Sequence, residues 1–269
     1  MSDEARYAVL IDAENVSSKY IHVIFDEASN YGISTYRRIY GDWTSTRNNQ
    51  WKDLLLNNSI SPIQQYSYTN GKNSSDSALI IDAMDILYTG SVDGFVLVSS
   101  DSDFTRLASR LRESGMNVIG MGETKTPNAF ISACNVFKYL DVLYAASPAE
   151  EEKEEKEPAG SAALLVSNPK TSKNAHPRPK RIEAAHSATK ISTIRRALRQ
   201  IVLENSDDDD WISLANLGNQ LAKRFPDFDV RNYGHQKLAT FVESFQDFDV
   251  EQRAVNAYGS KQLYVRFKK

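Results

Sequence analysis

Two short apolar runs, each ending in carboxylates, constrain this chain more than anything else in it. The run YAVLI gives way at once to Asp12-Ala13-Glu14-Asn15, and the run FVLVSS gives way to Asp101-Ser102-Asp103. Runs this short and this rich in Val, Leu and Ile read as strands buried on both faces, the pattern of a parallel sheet. As neighbouring parallel strands they would bring both acidic clusters to one carboxyl edge, where open α/β sheets place their active sites. A third acid, Asp76, opens the helical pattern SALIIDAMDILY after the loop GKNSS. Carboxylates gathered at one edge repel one another and call for a cation.

The rest of residues 7–144 supports that frame. Thr35–Tyr40 and Asn117–Met121 read as further strands, and Ser61–Tyr66 as a fifth. Helical patterns fall between them at Ser18–Tyr31, Thr46–Asn57, Asp76–Tyr88, Asp103–Ser114 and Asn128–Phe137. This alternation predicts an α/β domain with a central, mostly parallel sheet and helices on both faces.

The composition then breaks. An acidic run, EEEKEEKEP, lies between Ala149 and Pro158, and a basic, Pro-punctuated run spans Asn168–Arg181. Opposed charge blocks of low complexity read as a disordered linker, with a short apolar patch at Ala162–Val166. From Ile191 an ordered pattern resumes. Three helical stretches, Ile191–Glu204, Ser213–Arg224 and Gln236–Phe245, precede two strand-like ones, Phe248–Val255 and Gln262–Phe267. Three helices followed by a hairpin is the order of a winged helix-turn-helix. The expected division is a first domain over 1–146, a charged linker over 147–190 and a winged-helix (α+β) domain over 191–269.

Bulk properties remove several function classes. The single cysteine, Cys134, excludes an intramolecular disulfide and a Cys-rich zinc site. No stretch approaches a membrane span, and the N-terminal apolar run is too short for a signal-peptide core. The expectation is a cytoplasmic protein with no membrane partner. Net charge is −3, so bulk electrostatics gives no case for nucleic acid. Residues 1–145 hold 12 Lys/Arg against 17 Asp/Glu, a net of −5, while residues 191–269 hold 12 against 11, a net of +1. A polyanion would meet repulsion at the first domain unless metal ions neutralise its cleft.

The candidate metal ligands are Asp12, Asp76, Asp101 and Asp103, hard oxygen donors with no His or Cys nearby, a set that selects Mg2+ or Mn2+ over zinc. Such ions polarise a phosphoryl oxygen and generate hydroxide from bound water, so the leading reading is a phosphodiesterase. Asn15, three residues after Asp12, joins the catalytic set as an amide that can orient water or phosphate without adding charge. Ser99 and Ser100 flank the acids and are placed to hydrogen-bond them. Asp82, inside the helix opened by Asp76 and two turns from its N-terminus, is expected to support the site from behind or to serve the structure. Lys72, in the Gly/Asn/Ser loop, is the candidate phosphate contact.

The order D-x-x-N after the first strand, K-x-x-x-D-x-x-L-x-x-D opening a central helix, and S-x-D-S-D-F after a later strand resembles the NYN domain, a branch of the PIN-like fold, over about residues 5–145. That resemblance implies a metal-dependent RNA phosphodiesterase, an endoribonuclease, with Asp12, Asp76, Asp101 and Asp103 as its metal-centred carboxylates. The segments WISLANLGNQL, FPDFDVRNYG, KLATFV and LYVRF resemble the OST-HTH, or LOTUS, domain over roughly residues 190–269. This second resemblance implies a module that meets RNA, single-stranded or structured, or an RNA-associated protein. Arg231, Tyr233, His235 and Lys237 cluster at the start of its third helix and offer cations and a stacking ring for nucleic acid. The competing reading keeps the nuclease-like fold without catalysis, as an RNA-binding adaptor. Oligomeric state is not legible at this level.

Overall fold

In a computed structural model, residues 4–66, 74–147, 188–206, 210–254 and 261–268 can be described. The apolar run at the N-terminus forms β1 (Arg6–Asp12), in which Ala8, Val9, Leu10 and Ile11 are wholly buried. Burial of every successive side chain means that both faces of the strand are covered. Val9 and Ile11 pack with α1 (Ile21–Ser29), with Trp51 of α2 (Asn49–Asn57) and with Leu140 of α6 (Leu140–Ala145). Ala8 and Leu10 face the opposite way, against α3 (Ser74–Thr89), α4 (Thr105–Glu113) and α5 (Asn128–Ala133).

The remaining strands are β2 (Ile33–Gly41), β3 (Ser61–Gln64), β4 (Gly94–Val98), β5 (Asn117–Gly122) and β6 (Val136–Tyr139). All pair in parallel, in the order β3-β2-β1-β4-β5-β6. The chain winds outward from β1 to β3, returns over the sheet through α3, and winds the other way from β4 to β6. The order therefore reverses between β1 and β4, and the crevice at their carboxyl ends is the topological switch point.

One expectation fails at the far edge. A single helix over Asn128–Phe137 does not form, because α5 stops at Ala133 and β6 begins at Val136. Cys134 is extended, and the Asn135 side-chain carbonyl accepts the Val118 amide at 2.9 Å, which diverts the chain into the sheet.

The C-terminal unit contains α7 (Ile191–Asn205), β7 (Ile212–Ser213), α8 (Leu214–Arg224), a 3-10 turn (Val230–Tyr233), α9 (Leu238–Glu243), β8 (Phe248–Ala254) and β9 (Lys261–Phe267). The sheet is antiparallel in the order β7-β9-β8. Ile194, Leu198, Ile201, Leu217, Leu221, Phe241 and Val265 form its own core. The charged stretch 148–187, with its apolar patch, lies outside the described residues, as does Lys72. Among the described residues no helix is long and apolar enough to cross a membrane.

Candidate functional site

Three elements deliver carboxylates to the switch point. Asp12 is the last residue of β1, Asp76 sits in the first turn of α3, and Asp101 and Asp103 lie in the turn that follows β4. The N-terminus of α3 lies at this edge, bringing Asp76 beside Asp101 and Asp103. Its backbone dipole there favours a negative side chain.

Asp76, Asp101 and Asp103 each present a carboxylate oxygen within 4.8 Å of the others, running from buried through half-buried to exposed. An ion could therefore enter from solvent and meet three oxygens. Asp12 is not in this group of three. Its carboxylate is 1% exposed and accepts four hydrogen bonds. The Glu14 and Asn15 amides donate to Oδ1 at 3.1 and 3.3 Å, and Asn15 Nδ2 and Ser99 Oγ donate to Oδ2, both at 2.8 Å. Ser99 Oγ in turn accepts the Asp101 amide at 3.0 Å, so one hydroxyl ties the end of β1 to the loop after β4. Asp101 Oδ1 accepts the Asp103 amide at 2.9 Å, which fixes the turn that carries both acids.

The electrostatics reflect the crowding. Burial, and then the charges of Asp12, Asp101, Asp103 and Glu14, push the Asp76 carboxyl up to about 7. Burial also raises Asp12, against the opposing pull of its hydrogen bonds from Asn15 and Ser99. Such a group of carboxylates is strained without a cation, and hard oxygen donors of this kind suit Mg2+ or Mn2+.

Other expected residues fall elsewhere. Ser100 Oγ accepts the Glu123 amide at 2.9 Å, which ties the loop after β4 to the end of β5. Gly122 permits that approach, because a Cβ there would lie 2.5 Å from the Ser99 carbonyl and 3.1 Å from Ser100 Oγ. Asp82 is held by Arg38 and Tyr40 of β2, so it anchors α3 to the sheet. Sequence reasoning missed these two partners, and also Glu123, which accepts Tyr20 Oη at 3.0 Å and pairs with Lys125 at 2.7 Å.

In the C-terminal unit, Arg231 is not presented to solvent as a free cation. Its guanidinium donates to Asp229 at 2.7 Å and to Glu27 of α1 at 3.1 Å. Tyr233 packs at a tilt against Phe228 and Phe241, and its hydroxyl donates to the Thr189 carbonyl at 2.7 Å. His235 meets Phe241 edge-on, while Lys237 is exposed at the start of α9. Other arginines of this unit lie over aromatic rings, and Arg253 and Arg266 of the hairpin also pair with Glu251 at 3.4 Å and Asp249 at 3.1 Å. Arg253 and Arg266 cover the Trp211 ring at 4.1 and 4.7 Å, Arg253 also approaches Tyr264, and Arg199 covers Phe267 at 4.5 Å.

Comparison with known proteins agrees with this architecture. The NYN domain model matches residues 6–141, and the OST-HTH/LOTUS domain model matches residues 189–259. No match was found among curated proteins. Similar solved structures include a protein of unknown function from Vibrio parahaemolyticus, with 19% identity over 52% of this chain and 95% of that one, at a TM-score of 0.44. Another is an uncharacterised protein from Nitrosomonas europaea, with 35% identity over 37% of this chain and 93% of that one, at a TM-score of 0.28. With the NYN model covering half of its length, the chain belongs to the NYN domain family, a PIN-like nuclease family, and carries a C-terminal OST-HTH/LOTUS domain, a type of domain that binds RNA.

Proposed function

We propose that this protein is a Mg2+- or Mn2+-dependent endoribonuclease of the cytoplasm, in which Asp76, Asp101 and Asp103 hold the ion. The observation that carries the proposal is the convergence of these three acids within 4.8 Å at the switch point of a parallel sheet. A divalent ion bound there would polarise a phosphoryl oxygen and lower the pKa of a bound water. Asp12, fixed by four donors, supplies a positioned negative charge beside them. Asn15 and Ser99 set its orientation, and Ser99 couples that orientation to the loop bearing Asp101. The Asp76 carboxyl, raised to about 7, holds a proton in the metal-free protein near neutrality and gives it up to a cation.

The arginines over Trp211, Tyr264 and Phe267 favour the RNA contact of the second domain, since the rings beneath hold their guanidinium groups in place at the surface. The test is incubation of the purified protein with labelled single-stranded RNA and DNA in Mn2+, Mg2+ or EDTA, beside Asp12→Asn and Asp101→Asn. RNA cleavage with metal, lost in EDTA and in both folded variants, is expected. Full cleavage by both variants refutes the assignment. Tight RNA binding without cleavage under any metal leaves the adaptor reading in its place.

A further inference from the structure

We infer that the C-terminal domain is mounted rigidly on the outer edge of the nuclease sheet, through an alternating ring of four charges, and is not a freely swinging tethered module. Two members of the ring belong to the first domain, Glu27 of α1 and Lys138 of β6, and two to the second, Asp229 and Arg231. Lys138 Nζ lies 3.1 Å from Glu27 and 2.7 Å from Asp229, while Arg231 Nη2 lies 3.1 Å from Glu27 and 2.7 Å from Asp229. Each charge touches two of the opposite sign, and the ring is neutral. The side chains of Glu27, Lys138 and Asp229 are only 8%, 12% and 10% exposed.

Charges are not withdrawn from water in this way at a loose contact. Desolvation costs several kcal/mol per ion and is offset only where geometry and hydrogen bonding are complete. Here they are complete. Burial alone would raise Asp229, but Arg231 and Lys138 outweigh it and hold the carboxyl far below its ordinary range. Lys138 stays charged despite burial because Asp229 and Glu27 face it.

Three further contacts surround the ring. The Phe137 amide of edge strand β6 donates to the Pro226 carbonyl at 2.8 Å, so the second domain occupies a hydrogen-bonding position on the sheet edge. Asp227, 5% exposed, accepts the Thr189 amide at 2.6 Å and its hydroxyl at 2.7 Å, and Tyr139 Oη lies 3.5 Å from it. Ala188 packs against the core of the first domain. The chain therefore re-enters on the surface of the first domain before α7 begins. The distance between the two sites is then set by this interface. This inference stands on the interface alone and does not depend on catalysis.

The test uses the full chain and the double variant Glu27→Lys with Lys138→Glu. The exchange keeps the first domain's own ion pair but sets like charges against Asp229 and Arg231. Nuclear relaxation of the unmodified chain should give one rotational correlation time for both domains, and the Phe137 amide should exchange slowly. In the double variant the domains should tumble with two distinct correlation times, and the Phe137 amide should exchange at least about tenfold faster. The Val96 amide in the centre of the sheet should be unchanged, which separates undocking from unfolding. A quadruple variant that adds Asp229→Arg and Arg231→Asp should restore docking. Two correlation times in the unmodified chain would overturn the inference, as would a single correlation time and slow Phe137 exchange in the double variant.

Discussion

Replacing Asp76 by Asn should make the metal-free protein more stable at alkaline pH. The Asp76 carboxyl is raised from 3.8 to about 7 by burial and then by its acidic neighbours. Between those two values the folded chain holds a proton that the unfolded chain has lost. Stability must therefore fall as pH rises from about 4 to about 7, and the whole penalty is present above 7. A shift of about 3 units at 1.36 kcal/mol each sets a ceiling of about 4 kcal/mol. The cluster opens to solvent through Asp103, so screening reduces this to about 1–2 kcal/mol. Urea unfolding in EDTA, followed by circular dichroism, should show Asp76→Asn more stable than the parent by that amount at pH 8. At about pH 3, below both values, the carboxyl is neutral in the folded and the unfolded chain alike, and the two should match. Saturating Mn2+ should reverse the order, because ligand bound only to the folded parent adds about 2.7 kcal/mol at one hundred times Kd. An Asn variant that is less stable in EDTA at pH 8, or that gains equally at about pH 3, would refute the electrostatic reasoning.

Three other outcomes test different parts of the molecule. Asp82→Ala leaves Arg38 and Tyr40 of β2 without their shared acceptor and should cost about 1–3 kcal/mol in urea unfolding. Gly120→Ala would put a Cβ 2.5 Å from the Phe137 ring and 2.7 Å from Cys134 Sγ, so thermal unfolding should fall with a loss of about 1–3 kcal/mol from overpacking. Arg253→Ala combined with Arg266→Ala uncovers Trp211 and should weaken RNA binding and flatten its salt dependence, while Arg231→Ala leaves that slope unchanged at an undocked or docked face alike.

The sheet and its acidic edge were legible because burial on both faces leaves a compositional mark. β1 and β4 must be apolar at every position, so the first polar residue after each run marks the carboxyl edge. That logic located Asp12, Asp101 and Asp103, and the helical period after residue 76 located the start of α3. It could not locate β6, a four-residue edge strand whose neighbouring helix shares its apolar character. Nor could it resolve what each polar side chain touches. Ser99 and Ser100 are adjacent and chemically identical, yet one reaches Asp12 and the other the Glu123 amide, because successive positions leaving a strand face opposite ways. Arg231 reads as an available cation until its partner Glu27, 204 residues away, is brought beside it by the fold.

The placement of charge gives a reason for a chain of this family to carry a second domain. The first domain has a net charge of −5 and concentrates acids at its cleft, so alone it repels a polyanion at the distances over which encounter is steered. A bound ion cancels that field only within the cleft. The attraction must come from another surface, and the residues over Trp211 and Phe267 supply cations backed by aromatic rings. On a mobile tether, RNA held by that surface would sample many approaches to an acidic face. On a mount fixed by Glu27, Lys138, Asp229 and Arg231, the charges that make the joint are neutralised among themselves. The arginines of the hairpin lie outside the joint, partly exposed and, among the described residues, paired with their strand neighbours Glu251 and Asp249, partners a phosphate backbone would have to displace.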